Sequence, residues 1–376
     1  MAKKRKKFFQ NILLLIFTII ATWMFIEIML IFFFPQNLNI TQLDADKVFE
    51  LKPGISSILE RQEFTTHVKI NSHGFRDNEF EFKKPKDTTR IAFVGDSFVF
   101  GYGVELNETM VKILENKLNS GSNENYEVLN FGISAYGTEQ EYLLIKDDVL
   151  RYSPDIILLA FSLNDIKENV KFNLFGMENN TLVRNPPQKI TPILKLRNYV
   201  SWHSHLYSLI YFSVIDNQKL RNLLIKIKLL NPPSKDPSTD FNSLIYLNLE
   251  NQDFDYAVNK TLLLLNEINN VATQNKAKLI VFMIPSKEQV DSNKMKDFIR
   301  NKNLDIDKLN ITKVQKILKP SLWKNSIRII EPLNKFRKHN TNNTFYYDID
   351  GHWINKGQEL AADITYEYLI NNDYTR

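Results

Sequence analysis

Two patterns of apolar and polar positions divide the chain. The first is an unbroken apolar run, "ILLLIFTIIATWMFIEIMLIFFF", from Ile12 to Phe34. At about 1.5 Å per residue it reaches roughly 34 Å as a helix, enough to cross a bilayer core. The second begins near Arg90. Short runs rich in β-branched and aromatic residues occur at 90–95 (RIAFVG), 126–132 (YEVLNFG), 155–162 (DIILLAFS), 278–285 (KLIVFMIP) and 327–332 (IRIIEP). They are apolar throughout instead of alternating, the pattern of strands covered on both faces. Helical spacing fills the gaps between the first three. Met110, Ile113, Leu114 and Leu118 share one face within 107–119, and 138–152 opens with Thr138 and Glu141 in the form of a capping box. Strands alternating with helices predict an α/β fold, a parallel sheet with helices on both sides.

The alternation stops between about 166 and 250. "NPPQ" (185–188) and "NPPSKDPS" (231–238) are breakers, and helical patterns lie between them. This predicts a helical insertion capping the domain. Within it, "QKLRNLLIKIKLL" (218–230) is basic and amphipathic. It reads as a helix packing its apolar side on the core, with a membrane surface as the alternative. Residues 35–88 show no sustained period, and "HVKINSHGFRDNEF" (67–80) reads as a short strand and loop. The organisation is thus a basic tail (1–11), an anchor (12–34), a lead-in (35–88) and the main domain (89–372).

Charge refines this picture. The chain has 48 Lys and Arg against 43 Asp and Glu over 376 residues. Five of those bases form "KKRKK" before the apolar run, so the remainder is balanced. No basic surface is left over for nucleic acid. Bases ahead of the span place the tail in the cytoplasm and everything beyond Pro35 outside it, periplasmic or extracellular. No small-residue cleavage site follows "FFFPQNLN", which favours a retained single-pass anchor over a cleaved signal. Glu27 lies inside the span, where a charge costs roughly 2.5–3.5 kcal/mol. The simpler expectation is a protonated group outweighed by its apolar neighbours; the alternative is a polar group on a partner helix. The chain has no cysteine, which excludes disulfides, Cys-ligated zinc and thiol catalysis.

Reactive groups in open α/β sheets collect at the carboxyl ends of strands. The first predicted strand ends in Gly95-Asp96-Ser97, the second in Asn130-Phe131-Gly132, and the third in Ser162-Leu163-Asn164-Asp165. Near the C-terminus, "YYDIDGHWINKG" sets Asp348, Asp350 and His352 just before a helix starting near Asn355. These are the parts of an acyl-transfer site. Ser97 needs a base, which His352 supplies, and the imidazole needs an acceptor, Asp350 or Asp348. The N–H groups of Ser97 and Gly132 and the amide of Asn164 can serve an oxyanion, with Gly132 a glycine so that a substrate oxygen can approach closely. Asp96 and Asp165 read as turn-holding residues. Ser286 and Lys287 end the fourth strand, as an ordinary turn or as part of a pocket rim. His203 and His205 resemble a metal pair but have no third ligand nearby. No metal or cofactor is expected.

"VGDSFVFGYGV", the "NFG" glycine, "LND" and "DGHW" resemble the four blocks of the SGNH, or GDSL-type, hydrolases. By matching position, the family's Ser, Gly, Asn and His fall on Ser97, Gly132, Asn164 and His352. The resemblance covers roughly residues 88–370 and implies a flavodoxin-like three-layer α/β/α fold and a serine esterase or acyl-transfer activity without cofactor. Two positions depart from the pattern. Ser162 replaces a glycine in the third block, and Ile349 stands three residues before His352, where the family has Asp. "INSHGFRD" together with the anchor is similar to a bacterial membrane-anchored subgroup. That likeness implies O-acyl esters of cell-envelope carbohydrate as substrates, with envelope-biosynthesis partners. The rival expectations are an O-acetyltransferase of envelope polysaccharide and a non-catalytic glycan-binding scaffold on the same fold.

Overall fold

A computed structural model describes residues 2–120, 124–227, 240–341 and 344–374. The chain opens with one long helix, α1 (Ala2–Phe33). Its stretch Arg5–Phe33 is long and apolar enough to cross a membrane. Unlike a core helix, it leaves its apolar side chains uncovered, Phe17 at 67% exposure among them.

The lead-in is more structured than a short strand and loop. It forms two antiparallel hairpins, β1 (Thr41–Asp44) with β2 (Val48–Leu51), and β3 (Ser56–Glu60) with β4 (Thr65–Lys69). Only β4 coincides with the expected strand. Leu51, Leu59, Phe64 and Val68 from these hairpins join the main core. The strands are too short, and too mixed in polarity, to announce themselves by period alone.

The main domain follows the alternation read from the sequence. It contains β5 (Thr88–Gly95), α2 (Ser97–Phe100), α3 (Met110–Ser120), β6 (Asn125–Gly132), α4 (Thr138–Asp147), β7 (Ile156–Phe161) and α5 (Asp165–Phe172). The insertion adds a hairpin, β8 (Phe175–Glu178) with β9 (Thr181–Arg184), and helices α6 (Pro192–His203), α7 (His205–Asp216), α8 (Gln218–Lys226) and α9 (Phe241–Leu244). The breaker at 231–238 and the end of the amphipathic stretch, 228–230, lie outside the described residues. The domain then closes with α10 (Gln252–Gln274), β10 (Lys278–Met283), α11 (Lys287–Val290), α12 (Ser292–Lys302), α13 (Lys313–Lys324), β11 (Arg328–Ile330), α14 (Leu333–His339) and α15 (Asn355–Asn371).

The five long-range strands form one parallel sheet in the order β11-β10-β7-β5-β6. Alternate residues of β5 serve two cores. Ile91 and Phe93 pack with α3, α14 and α15, while Ala92 and Val94 pack with α4, α10, α13 and the lead-in hairpins. Apolarity on both faces is what a three-layer arrangement requires. The chain runs from β5 outward to β6, then returns across to β7 on the other side of β5. That reversal opens a crevice at the carboxyl ends of β5 and β7.

Arg76 and Asp77 of "INSHGFRD" tie the lead-in to this crevice. The Arg76 side chain is 1% exposed. It donates to the carbonyls of Phe100 (3.1 Å), Gly101 (2.6 Å), Val104 (2.7 Å) and His67 (3.2 Å). Burial lowers its pKa to about 10, so it stays charged at neutral pH. Asp77 accepts from Asn130 N–H (2.9 Å) and pairs with Lys112 (2.7 Å). Arg76→Met would leave several buried carbonyls unpaired. We expect a loss of about 2–3 kcal/mol, read as a lowered Tm of the detergent-solubilised chain; an unchanged Tm would contradict this role.

Candidate active site

The Gly-Asp-Ser stretch is a tight strand-to-helix turn. Asp96 caps α2 through its Oδ1, which accepts from Phe98 N–H (2.9 Å). The helix is a single turn and ends at Gly101, whose φ of 78° favours glycine. Ser97 therefore stands at the first position of α2, at the mouth of the crevice.

His352 reaches Ser97 from the far end of the chain. Its segment is held by a bridge between Tyr346 and the fully buried Trp353. The Tyr347 hydroxyl adds a bond to Gly103 O (2.7 Å), in the loop that follows α2. His352 Nε2 lies 2.7 Å from Ser97 Oγ, and its Nδ1 is hydrogen-bonded to Asp350 Oδ1. The ring sits between Phe98 and Tyr102, with centroids 5.1 and 4.8 Å away. Burial pushes the Asp350 carboxyl up, but the hydrogen bonds and charge of His352, with Arg61 beyond, hold it below its ordinary value.

Asp348 faces away, pairing with Lys294 (2.9 Å). Of the two acids, Asp350 is the one beside His352. Glu63 makes its spacing of two residues workable. This carboxylate accepts from three successive N–H groups, those of Asp348 (2.6 Å), Ile349 (2.9 Å) and Asp350 (2.8 Å). The three donors wrap the loop around one anion, as in a backbone nest. Glu63 comes from the β3–β4 turn, 285 residues from Asp348, and no local pattern in the sequence marks it.

Asn164 lies at the end of β7 and gives one amide hydrogen to Asp96 Oδ2 (3.2 Å). Its second hydrogen has no partner among the described residues, and the residue lines the adjacent cavity. Gly132 does not fit its expected role. Its N–H is already donated to Asn130 Oδ1 (2.9 Å) in the buried sheet, and so is not offered to a substrate oxygen. The residue is glycine because α2 lies against it: a Cβ would fall 2.1 Å from Phe100 N. Beyond Gly132, Ile133 N–H bonds Gly95 O (3.0 Å). Ala135 next in this loop is exposed, with a left-handed φ of 66°, and its N–H has no partner among the described residues.

Behind Ser97 sits a buried acidic group that the sequence did not announce. Asp96, Glu141 and Asp165 are all fully buried. The capping box expected from Thr138 and Glu141 is shifted: Gly137 caps α4, with Gln140 Oε1 accepting its N–H (3.2 Å). Glu141 points inward, and neither of its carboxyl oxygens has a partner among the described residues. Burial, then the charge of Asp96, push Glu141 well above the usual carboxylate range. Burial, then Glu141 and Asp96, do the same to Asp165, although it accepts from Ser162 N–H (3.3 Å). Three carboxylates cannot all ionise in so small a dry volume, so the cluster keeps a proton at neutral pH.

A cavity of about 390 Å³ opens beside the site, bounded by Phe98, Asn164, Asp350 and Gly351 on one side and by Phe241, Tyr246 and Ser286 on the other. Ser286 fills both roles considered for it. It caps α11, accepting from Gln289 N–H (3.2 Å), and its hydroxyl meets Tyr246 OH (2.6 Å) at the cavity wall. Lys287 lines the same wall and donates to Asp348 O (2.6 Å). His203 and His205 part company: His205 Nδ1 accepts from Gln36 N–H (2.8 Å), while His203 packs on Tyr199. Among the described residues no group of three or more His, Asp or Glu is placed to hold a metal.

The fold, and a strand-end serine joined to a histidine and a carboxylate, define the class: a serine hydrolase acting on ester bonds. The family is more particular. Residues 93–201 match the model described as the GDSL-like Lipase/Acylhydrolase family. No curated protein matches the chain. Among solved structures it is similar to an acetyl xylan esterase, AlAXEase, at 14% identity, covering 74% of this chain and 99% of that one with a TM-score of 0.42. It is similar to TesA at 12% identity, covering 75% and 98% with a TM-score of 0.41. A lipase/acylhydrolase from Enterococcus faecalis matches at 12% identity, covering 76% and 96% with a TM-score of 0.40.

Two outcomes follow from this geometry. Asp350→Asn is expected to lower kcat for a short-chain aryl ester by about 10²–10⁴-fold through loss of the imidazole's orientation. Asp348→Asn should change it only a few-fold, and equal losses would contradict the assignment. Glu141→Gln tests the acidic cluster. A carboxyl whose folded pKa is raised stabilises fully below the unfolded value of about 4.3, and that contribution is lost as pH rises towards the raised value. The variant should therefore lose less Tm than the parent as pH rises above about 5; parallel curves would show that Glu141 does not titrate in this way.

Proposed function

We propose that this protein is a membrane-anchored, extracytoplasmic serine esterase that removes O-acyl groups from cell-envelope carbohydrate. One observation carries the proposal: Ser97 Oγ lies 2.7 Å from the ring nitrogen of His352, whose other nitrogen is held by Asp350, beside an open cavity. Ser97 Oγ attacks the ester carbonyl carbon as His352 Nε2 takes its proton. The carbonyl oxygen becomes an oxyanion facing the Ser97 N–H, the free amide hydrogen of Asn164 and the Ala135 N–H. His352 returns the proton to the leaving sugar oxygen, the C–O bond breaks, and an acyl-Ser97 remains. Water, activated by His352, then releases the acid and restores the serine.

The cavity wall supports a carbohydrate. Phe98, Phe241 and Tyr246 offer ring faces and edges, while Asn164, Asn242 and Glu288 offer hydrogen-bonding groups. At about 390 Å³ the space is at the small end of ligand sites, which suits one acylated sugar better than a long acyl chain. The bases in the first turns of α1, ahead of its apolar run, favour a cytoplasmic N-terminus, with the residues from Pro35 to the C-terminus forming one extracytoplasmic unit. A sugar hydroxyl in place of water would turn the same acyl-enzyme into an O-acetyltransferase.

A fluorophosphonate probe on the detergent-solubilised full chain tests the reading. The probe should label Ser97, and Ser97→Ala should abolish both labelling and ester hydrolysis, a loss of about 10⁴-fold or more. An unlabelled, correctly folded parent would mean a non-catalytic glycan-binding role. With an acyl donor and a glycan acceptor both present, free acid supports the esterase, and acylated glycan as the main product would replace it with the transferase.

A further inference from the structure

Glu27 gives the bilayer a position against the protein. Of the two expectations for it, the contacts favour a polar group on another helix. Glu27 has its partners on its own chain, at the start of α7. Its carboxylate accepts from Ser204 Oγ (2.8 Å) and from the N–H groups of Leu206 (3.1 Å) and His205. These are the otherwise unpaired N–H groups at the start of a twelve-residue helix. The same corner is tied to the chain just beyond α1. Gln36 N–H donates to His205 Nδ1 (2.8 Å), Asn39 N–H to Ser201 O (3.1 Å), and Trp202 Nε1 to Thr41 O (2.7 Å). Leu30, one turn beyond Glu27, is buried in this contact region.

Glu27 lies seven residues before Phe34, so α7 begins roughly 10 Å below the outer end of the apolar run. The apolar residues from Ile12 to Ile26 would reach only about 22 Å to that level, but the helix extends further at its start. The stretch Arg5–Phe33 spans 29 residues, about 43 Å, against about 30 Å of hydrocarbon. A bilayer whose outer boundary lies at Glu27 is therefore still fully crossed by the residues before it. The helix that starts there, with α6 before it and α8 after it, leaves apolar side chains uncovered. Ile193, Leu196 and Tyr199 of α6, Ile210 and Tyr211 of α7, and Leu223 of α8 are each at least half exposed. Among them stand Lys195, Arg197, Lys219, Arg221 and Lys226, with Asp216 the one acid between 190 and 227. Exposed apolar and aromatic side chains interleaved with bases are the composition of helices lying in a lipid headgroup layer.

We propose that α6, α7 and α8 form a second membrane attachment, a platform lying on the outer leaflet, with the hydrocarbon boundary at Glu27 instead of Phe34. This rests on the anchor reading above and deepens it. From the platform, a short series of contacts reaches the active site. Phe212 of α7 lies under Arg61 (4.7 Å to the ring), Arg61 Nε donates to Tyr102 OH (3.1 Å), and Tyr102 rests against His352 (4.8 Å). The active site is thereby held close to the bilayer, and the substrate it meets is an acyl ester presented at the membrane surface, such as a lipid-linked sugar.

The cysteine-free chain makes the test clean, because any introduced cysteine is the sole thiol. Full chains carrying Phe17→Cys, Leu196→Cys, Tyr211→Cys or Ile370→Cys would be labelled with an environment-sensitive fluorophore. Each would be reconstituted into vesicles of phosphatidylcholine and phosphatidylglycerol in equal parts, with bromine either shallow or deep in the acyl chains. The label at 17 should be quenched by deep bromine, and those at 196 and 211 by shallow bromine, each losing about half its emission or more. The label at 370 should respond only to aqueous iodide. If 196 and 211 instead respond to iodide while 17 is quenched by lipid, the platform fails and the anchor stands. If they are shielded from both quenchers, a second copy covers the surface and the platform again fails. If 17 escapes lipid quenching, the anchor reading itself falls.

Discussion

The structure depends on how closely α2 lies across the ends of three strands. A Cβ at Gly95 would approach Val99 to 2.6 Å and Ala160 to 3.1 Å, and one at Gly132 would meet the backbone of Phe100 at 2.1 Å. With no side chain at either position, the single turn of α2 settles over β5, β6 and β7. Ser97 is thus placed at the reversal point of the sheet, where Asn164 arrives from the next strand. A larger residue at either site would lift α2 and separate the serine from its histidine, although neither glycine touches substrate.

That constraint also explains a misreading. The sequence shows that glycine recurs at the end of a strand, but not what approaches it. Gly132 invites a substrate oxygen as the explanation, whereas the approaching group is the backbone of α2. The five sheet strands, by contrast, were legible because burial on both faces imposes an apolar run that needs no partner to be recognised. Ser97, Asn164 and His352 were legible because each sits at a strand end or just before a helix, within a short stretch of distinctive composition. Glu63, Arg76 and Glu141 were not. Their meaning lies in contacts with residues distant in sequence, and an isolated charged residue in a loop or on a helix reads as solvated surface.

Glu27 illustrates the same limit from the other side. Hydropathy registers it as a cost to be outweighed, because a one-dimensional profile has no place for a helix terminus supplied from far along the chain. Once α7 is seen to start there, the side chain has hydrogen-bond partners to meet. The helical insertion, whose amphipathic segment reads as ordinary core packing, also takes on a different character. Its outer side chains are apolar and basic together, which a helix packed only on its own domain would not need.

The contacts of the lead-in bear on how this protein can be dissected. Arg76 holds the loop after Ser97, Asp77 pairs with Lys112, and Glu63 shapes the turn that carries Asp350. A shortened chain beginning at residue 89 would retain every residue of the proposed acyl-transfer site, yet lose the three side chains that set its geometry. Such a fragment would misrepresent the enzyme as weak or inactive. The smallest faithful unit begins ahead of the first hairpin, near Asn37, and keeps the two hairpins as part of the catalytic body.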